Sequence, residues 1–288
     1  MRVSLLTDAP KHNLALMKIS AWHKAQGDDV ILNNPLLCHV GHCFHLEHKT
    51  YASVLFKWNK KKFIADEYGG PAFGGKELPV PDMKPDYDLY PIDYSLGYTF
   101  RYCPRNCKFC QVTKIEKDKS HHSIWEFHDK RFKKIGLLNN NTFYDLKWED
   151  TFHEIWDENI TIEDLSGWDL RLINSYKANA LKKTKWGHGP KFAWDKMKDE
   201  EQIVNGIDEI NRVGFKNCTI YVLIGYDTTL EEDIYRCQKI HDMGHDPFPM
   251  IYENGEPNRT LHSFRRMIYQ RYYRKEGNIE KAWRDYNK

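Results

Sequence analysis

No apolar run in this chain of 288 residues approaches the roughly 20 residues that a membrane-spanning helix needs. A signal peptide is not expected either. The opening Met1-Arg-Val-Ser-Leu-Leu-Thr-Asp8 turns polar before an apolar region builds up. Charge of one sign is also lacking. Forty-three Lys and Arg face 41 Asp and Glu, a formal net charge of +2. That excludes a global electrostatic footprint for nucleic acid or membrane. The seven cysteines are odd in number and accompany no export signal, which argues against a disulfide framework. Together these absences predict a cytoplasmic protein with no membrane partner.

Hydrophobic content is 41% and charged content 29%, an ordinary globular balance that argues against general disorder. Aromatic content reaches 14%, which predicts a core or cleft lined with rings. The length suits one large domain, or a medium domain and a small one.

The first part reads as a short α/β unit. Val3–Leu6 is an apolar strand run, Leu14, Met17, Ile19, Trp22 and Ala25 recur at helical spacing, Gly27 stops the helix, and Val30–Leu32 is a second strand. Tyr51–Phe56 and Phe63–Ala65 are further strand candidates. Gly69–Gly75 reads as a flexible loop, alternatively a backbone cradle for phosphate. Leu78–Pro91 holds four prolines among acidic residues and reads as an irregular linker, placing a boundary near residue 85.

Beyond residue 94 strands and helices alternate. Strand candidates are Tyr98–Tyr102, Ile135–Leu138, Ile160–Ile162 or Leu170–Ile173, Lys191–Trp194, Thr219–Ile224 and Phe248–Ile251. Trp148, Phe152 and Ile155 share one helix face, and Ile203, Ile207 and Ile210 another, with Gly214 past its end. Thr228 and Thr229 before Glu231 and Glu232 signal a capped helix that runs to Met243 and Gly244. One βα unit per roughly 25–40 residues predicts a parallel sheet. The fold class expected is α/β: a Rossmann-like domain over 1–85, a barrel-like domain over 86–253 and a C-terminal helical extension over 254–288.

The chemistry concentrates in Tyr98-Thr-Phe-Arg-Tyr-Cys103-Pro-Arg-Asn-Cys107-Lys-Phe-Cys110-Gln. Three thiolates spaced C-x3-C-x2-C on one loop suit an iron–sulfur cluster or zinc. They can grip three corners of a [4Fe–4S] cube and leave the fourth iron open. The alternatives are structural zinc, with a fourth ligand such as His121 or His122, and a C-x2-C redox pair at Cys107 and Cys110.

This loop resembles the cluster loop of the radical S-adenosylmethionine (SAM) superfamily, with Phe109 at the aromatic position before the third cysteine. With Gly167–Leu172, Phe192–Asp195 and Tyr221–Thr229 it resembles a subgroup of unknown substrate that carries an N-terminal Rossmann-like, cobalamin-binding-like domain. The resemblance implies a partial (βα)6 TIM-like barrel with Cys103, Cys107 and Cys110 as metal ligands. SAM would chelate the open iron and be cleaved reductively to a 5′-deoxyadenosyl radical, which abstracts hydrogen from the substrate. An electron donor such as flavodoxin or ferredoxin is implied. Gly225 would meet the adenine edge, and Asn140 would stand where an acidic residue usually holds the SAM amino group. Arg171 and Asp195, at strand ends, would take the SAM carboxylate and ribose.

Cobalamin is not expected: Asp8-Ala-Pro-Lys-His12 has the wrong spacing and no glycine for its motif. Cys38, His42, Cys43 and His45 form a second candidate zinc set of non-standard spacing. Cys218 and Cys237 read as small buried hydrophobes. Trp148, Trp156, Trp168, Trp186 and Trp194 read mostly as core, Trp194 also as a cleft-facing candidate. The cations Arg265, Arg266, Arg271, Arg274, Lys275, Lys281 and Arg284 among aromatics form a solvated helix face, or alternatively an RNA-binding patch. Three function classes follow: a radical SAM enzyme on a small substrate, an RNA- or nucleotide-modifying member of that superfamily, and a non-catalytic zinc or iron–sulfur module. Nucleic acid is the secondary partner expectation.

Overall fold

The computed structural model describes residues 1–33, 48–79, 82–252 and 258–286. The fold is mixed α/β with parallel strand pairing, and the chain forms two compact units, Met1–Asn139 and Asn140–Lys288.

In the first unit, β1 (Arg2–Thr7), β2 (Asp29–Asn33), β3 (His48–Ser53) and β4 (Glu67–Gly69) form a parallel sheet of order β2-β1-β3-β4. Strand β1 is central and pairs Val3 with Val30 on one side and with Lys49 on the other. Strand side chains alternate between sheet faces, and two apolar clusters result. Helix α1 (Leu14–Ala25) brings Leu16 and Ile19 against Val3, Leu5 and Tyr51. Leu6, Ala52 and Val54 pack instead with Phe63 and Ala72. Asn13 caps α1 by accepting Leu16 N at 3.2 Å, a contact of the kind worth about 1 kcal/mol.

Strand β3 ends before the expected Phe56 because the Asp8 carboxylate takes Leu55 N at 2.7 Å and Phe56 N at 2.9 Å. Those N–H groups are therefore unavailable to a ladder. Phe63–Ala65 is not a strand. Ala65 N donates to Tyr68 Oη at 2.8 Å, and β3–β4 pairing begins only at Tyr51–Glu67. Residues 82–91 are irregular, as composition predicts, yet firmly docked. Tyr87 and Tyr90 are buried with Met17 and Leu96, and Asp86 accepts from Ser20 at 2.6 Å. Strand β5 (Ser95–Gly97) pairs in parallel with β6 (Lys134–Leu137), and the four-residue helix α2 (Val112–Ile115) lies between them in sequence.

The second unit holds α3 (Trp148–Asp157), β7 (Thr161–Asp164), β8 (Trp168–Asp169), α4 (Ser175–Lys183), β9 (Lys185–Trp186), β10 (Phe192–Trp194), α5 (Glu200–Arg212), β11 (Thr219–Ile224), α6 (Leu230–Asp242), β12 (Asp246–Ile251), α7 (Arg259–Tyr269) and α8 (Ile279–Tyr286). Strands β12-β11-β10-β8 form a parallel sheet, and β7 pairs in parallel with β9. Apolar faces at helical spacing explain its helices: Trp148 and Phe152 of α3 and Ile203, Ile207 and Ile210 of α5 enter one large core. Each such side chain contributes about 1.5–3 kcal/mol of burial. Thr229 and Glu232 close the expected capping box on α6.

Leu170–Ile173 is not a strand. Asp169 accepts Arg171 N at 3.2 Å and turns Leu170–Leu172 into a 3-10 turn. Trp194 does not face a cleft; it is fully buried and donates Nε1–H to Lys196 O at 3.0 Å. Cys218 and Cys237 are buried as expected, and burial pushes the Cys218 thiol up to about 12. Among the described residues no helix is long and apolar enough to cross a membrane.

Candidate functional site

The cysteine loop leaves the C-terminal end of β5. Tyr98–Tyr102 is not strand, because Asn139 intercepts the ladder: its Oδ1 accepts Thr99 N at 2.8 Å and Phe100 N at 3.1 Å, and its Nδ2 donates to Thr99 Oγ1. Asn139 is 2% exposed, so this clip is shielded from water. Next, the Arg101 guanidinium meets the buried Glu116 carboxylate at 2.8 Å and lies 5.2 Å from the Tyr98 ring centre. Residues 101 and 116 are thereby stapled, and the stretch between them closes on itself.

Within the loop Cys110 N donates to Cys107 O at 3.0 Å, and Asn106 takes the left-handed conformation at φ 44°. Asn tolerates that conformation better than most residues. Val112 N–H points at Cys110 Sγ, 3.4 Å away, and such a donor favours a thiolate. All three cysteines and Phe109 are half-buried. Gly75 presses the loop's exit: a Cβ there would lie 1.7 Å from Ile115 Cγ2. Gly69–Gly75 is thus a packed turn against α2.

The donor chemistry of three half-buried thiols on one closed loop suits a cluster with an open corner. Among the described residues, however, no three His, Cys, Asp or Glu side chains are gathered as a metal-binding group. His122, a candidate fourth ligand, has both ring nitrogens committed, to Asp118 at 3.0 Å and Glu126 at 2.9 Å. Burial opposes its proton, but those carboxylates prevail and raise His122 above its ordinary value. The set Cys38, His42, Cys43 and His45 lies outside the described residues.

The other expected site residues belong to the second unit. Arg171 follows β8 and is clamped by Asp169, at 2.7 and 3.0 Å, and by Asp199 at 2.6 Å. Asn141 Nδ2 donates to the same Asp169 at 3.1 Å. The guanidinium is engaged by carboxylates of the chain itself, so it is poorly placed to take a ligand carboxylate without exchanging one. Asp195, at the end of β10, lies in the field of this cluster. Burial pushes its carboxyl up to about 6, with Arg171 and Arg236 pulling it down and Asp169 and Asp199 adding to the rise. Asn140 is half-buried directly before Asn141. Gly225 has φ 73°, donates N–H to Asp233 at 3.1 Å, and has Leu261 where a Cβ would go. The structure thus groups Arg171 and Asp195, while Gly225 belongs to a different network around Asp233.

No protein-family model, curated protein or solved structure matches the chain.

Several residues important to these sites carry no local sequence signal. Asn139, Glu116 and Arg101 hold the cysteine loop through contacts between residues distant in sequence. Asp164, at the end of β7, is 4% exposed and accepts Lys191 N at 2.6 Å; burial pushes its carboxyl up to about 7. Arg236 is fully buried, bonds Trp194 O at 2.9 Å and Leu223 O at 2.7 Å, and pairs with buried Asp233. Strand-end polarity alone flags Asp164, and nothing in helical periodicity flags Arg236 as core.

Proposed function

We propose that the chain is a radical SAM enzyme whose [4Fe–4S] cluster is held by Cys103, Cys107 and Cys110. One observation carries the reading: a C-x3-C-x2-C loop that starts at the C-terminal end of a parallel strand and is clipped at both stems, by Asn139 and by Arg101–Glu116. Active sites of parallel α/β folds collect at that end of the strands. When bound, the cluster supplies the single electron that cleaves the sulfonium C–S bond of SAM. The chain's own part is to hold three thiolates together, keep them half-buried, and direct the Val112 N–H at one of them. The finer architecture, a partial (βα)6 barrel over 86–253, rests on the succession of parallel strands and helices.

Anaerobic reconstitution tests the reading. The wild-type chain should bind about four iron and four sulfide per molecule. Replacing any one of the three cysteines by alanine should lower that content sharply, whereas Cys218→Ala and Cys237→Ala should not. A tightly held zinc ion in place of iron, or iron content indifferent to all three cysteines, refutes it.

A further inference from the structure

We propose that residues 55–64 are a docking platform for single-stranded nucleic acid, with bases stacking on Trp58 and phosphates held by Lys57, Lys61 and Lys62. The segment reads Leu-Phe-Lys-Trp-Asn-Lys-Lys-Lys-Phe-Ile and contains four lysines and no acid. Trp58 is 69% and Phe56 43% exposed. Their rings stack on each other with centres 4.7 Å apart and planes 17° from parallel. A two-ring stack with an open outer face is what an unpaired base extends.

The platform is held in shape before any ligand arrives. Asp8 caps its entry through Leu55 N, Phe56 N and Asn59 Nδ2. Phe63, 5% exposed, anchors its exit in the core. Lys60 is committed to the Phe73 ring, 4.7 Å from its centre. Lys57, Lys61 and Lys62 are exposed and have no acidic partner among the described residues. The C-terminal cations differ. Arg271 and Arg274 meet Asp246, Lys281 meets Glu276 and Arg284 meets Glu280, so much of that charge is neutralised at home.

The 3-10 geometry of Lys57–Lys62 favours nucleic acid over a lipid surface. At three residues per turn, Lys57 aligns with Lys60, Trp58 with Lys61, and Asn59 with Lys62. Every face carries an ammonium and none is wholly apolar, as insertion into acyl chains requires. Trp58 above Lys61 instead sets a stacking surface beside an anion site, the repeat of a base and its phosphate.

The test uses the full chain without cluster or SAM, so its failure leaves the cluster assignment standing. Fluorescein-labelled oligouridylate and oligothymidylate of about twelve nucleotides are titrated by anisotropy, and intrinsic tryptophan quenching is followed. Three released counterions give a log–log salt slope of about −2, a loss of roughly 20-fold in affinity between about 50 and 200 mM salt. Trp58→Ala should weaken binding about tenfold. The triple change of Lys57, Lys61 and Lys62 to Gln should flatten the salt slope while the melting temperature stays unchanged. A preference for the uridylate or the thymidylate identifies the natural strand as RNA or DNA. Binding that ignores both variants, no salt-sensitive binding, or variants that abolish instead sedimentation with phosphatidylserine vesicles or self-association would each overturn the proposal.

Discussion

Asp233→Ala is expected to be among the most damaging single substitutions in the second unit. Asp233 and Arg236 are both fully buried. Removing the carboxylate leaves a guanidinium in the core with only the carbonyls of Trp194 and Leu223 and the Thr228 hydroxyl as partners. An orphaned buried charge costs about 3–5 kcal/mol. Gly225 N and Thr228 Oγ1 also lose their acceptor, at about 1 kcal/mol each and not fully additively. A total near 5 kcal/mol corresponds to a fall of roughly 10–20 °C in melting temperature. The double change Asp233→Ala with Arg236→Met removes both charges and keeps an apolar stem in the guanidinium's place, so it should recover at least half the loss. Urea melts of the wild type, both singles and the double close the cycle. A single-variant cost below about 1 kcal/mol, or a double no more stable than Asp233→Ala, would refute the reasoning that the cation is held by this carboxylate.

Gly206→Ala offers a reversal of sign. Helix propensity alone promises about 1 kcal/mol of gain, but a Cβ there would lie 2.2 Å from the Leu170 carbonyl oxygen, so thermal melts should show a loss of about 1–3 kcal/mol. Asp164 predicts a pH dependence. Its carboxyl titrates at about 7 in the fold against about 3.9 in an unfolded chain. The native state therefore holds the extra proton between those values, and this group's contribution to stability falls as pH rises through that window and levels above it. Asp164→Asn should remove that decline, so its melting temperature should gain on the wild type from about pH 4 to 7; parallel profiles would contradict it. Glu116→Gln weakens the staple to Arg101 and should speed iron loss from reconstituted protein to a chelator several-fold, with little change in melting temperature.

What the sequence made legible follows physical range. The faces of α3 and α5 and the Thr229–Glu232 box depend on spacings of three to four residues, and each was readable. Strand Thr219–Ile224 was readable because both its ends meet turn signals. The cysteine triplet stood out as a candidate metal site because all its donors fall within eight residues. By contrast, β3 and β5 stop early because of Asp8 and Asn139, residues about 40 or more positions away whose side chains capture backbone N–H groups. Arg171 read as a ligand-binding cation at a strand end, yet Asp199, from another segment, already occupies it. Trp194 read mostly as core, with a cleft-facing alternative from its place at a strand end, and the core closes over it. The docking of residues 82–91 was hidden because proline-rich composition describes backbone irregularity and is silent on Tyr87 and Tyr90.

The central claim is tested most directly by product analysis. Reconstituted wild-type protein is given dithionite and SAM under argon, and 5′-deoxyadenosine is quantified by chromatography beside a variant with Cys103, Cys107 and Cys110 all changed to Ser. Release of the nucleoside by the wild type and not by the variant is the predicted result. Equal release from both, or none from a wild-type sample carrying its full complement of iron and sulfide, would contradict it.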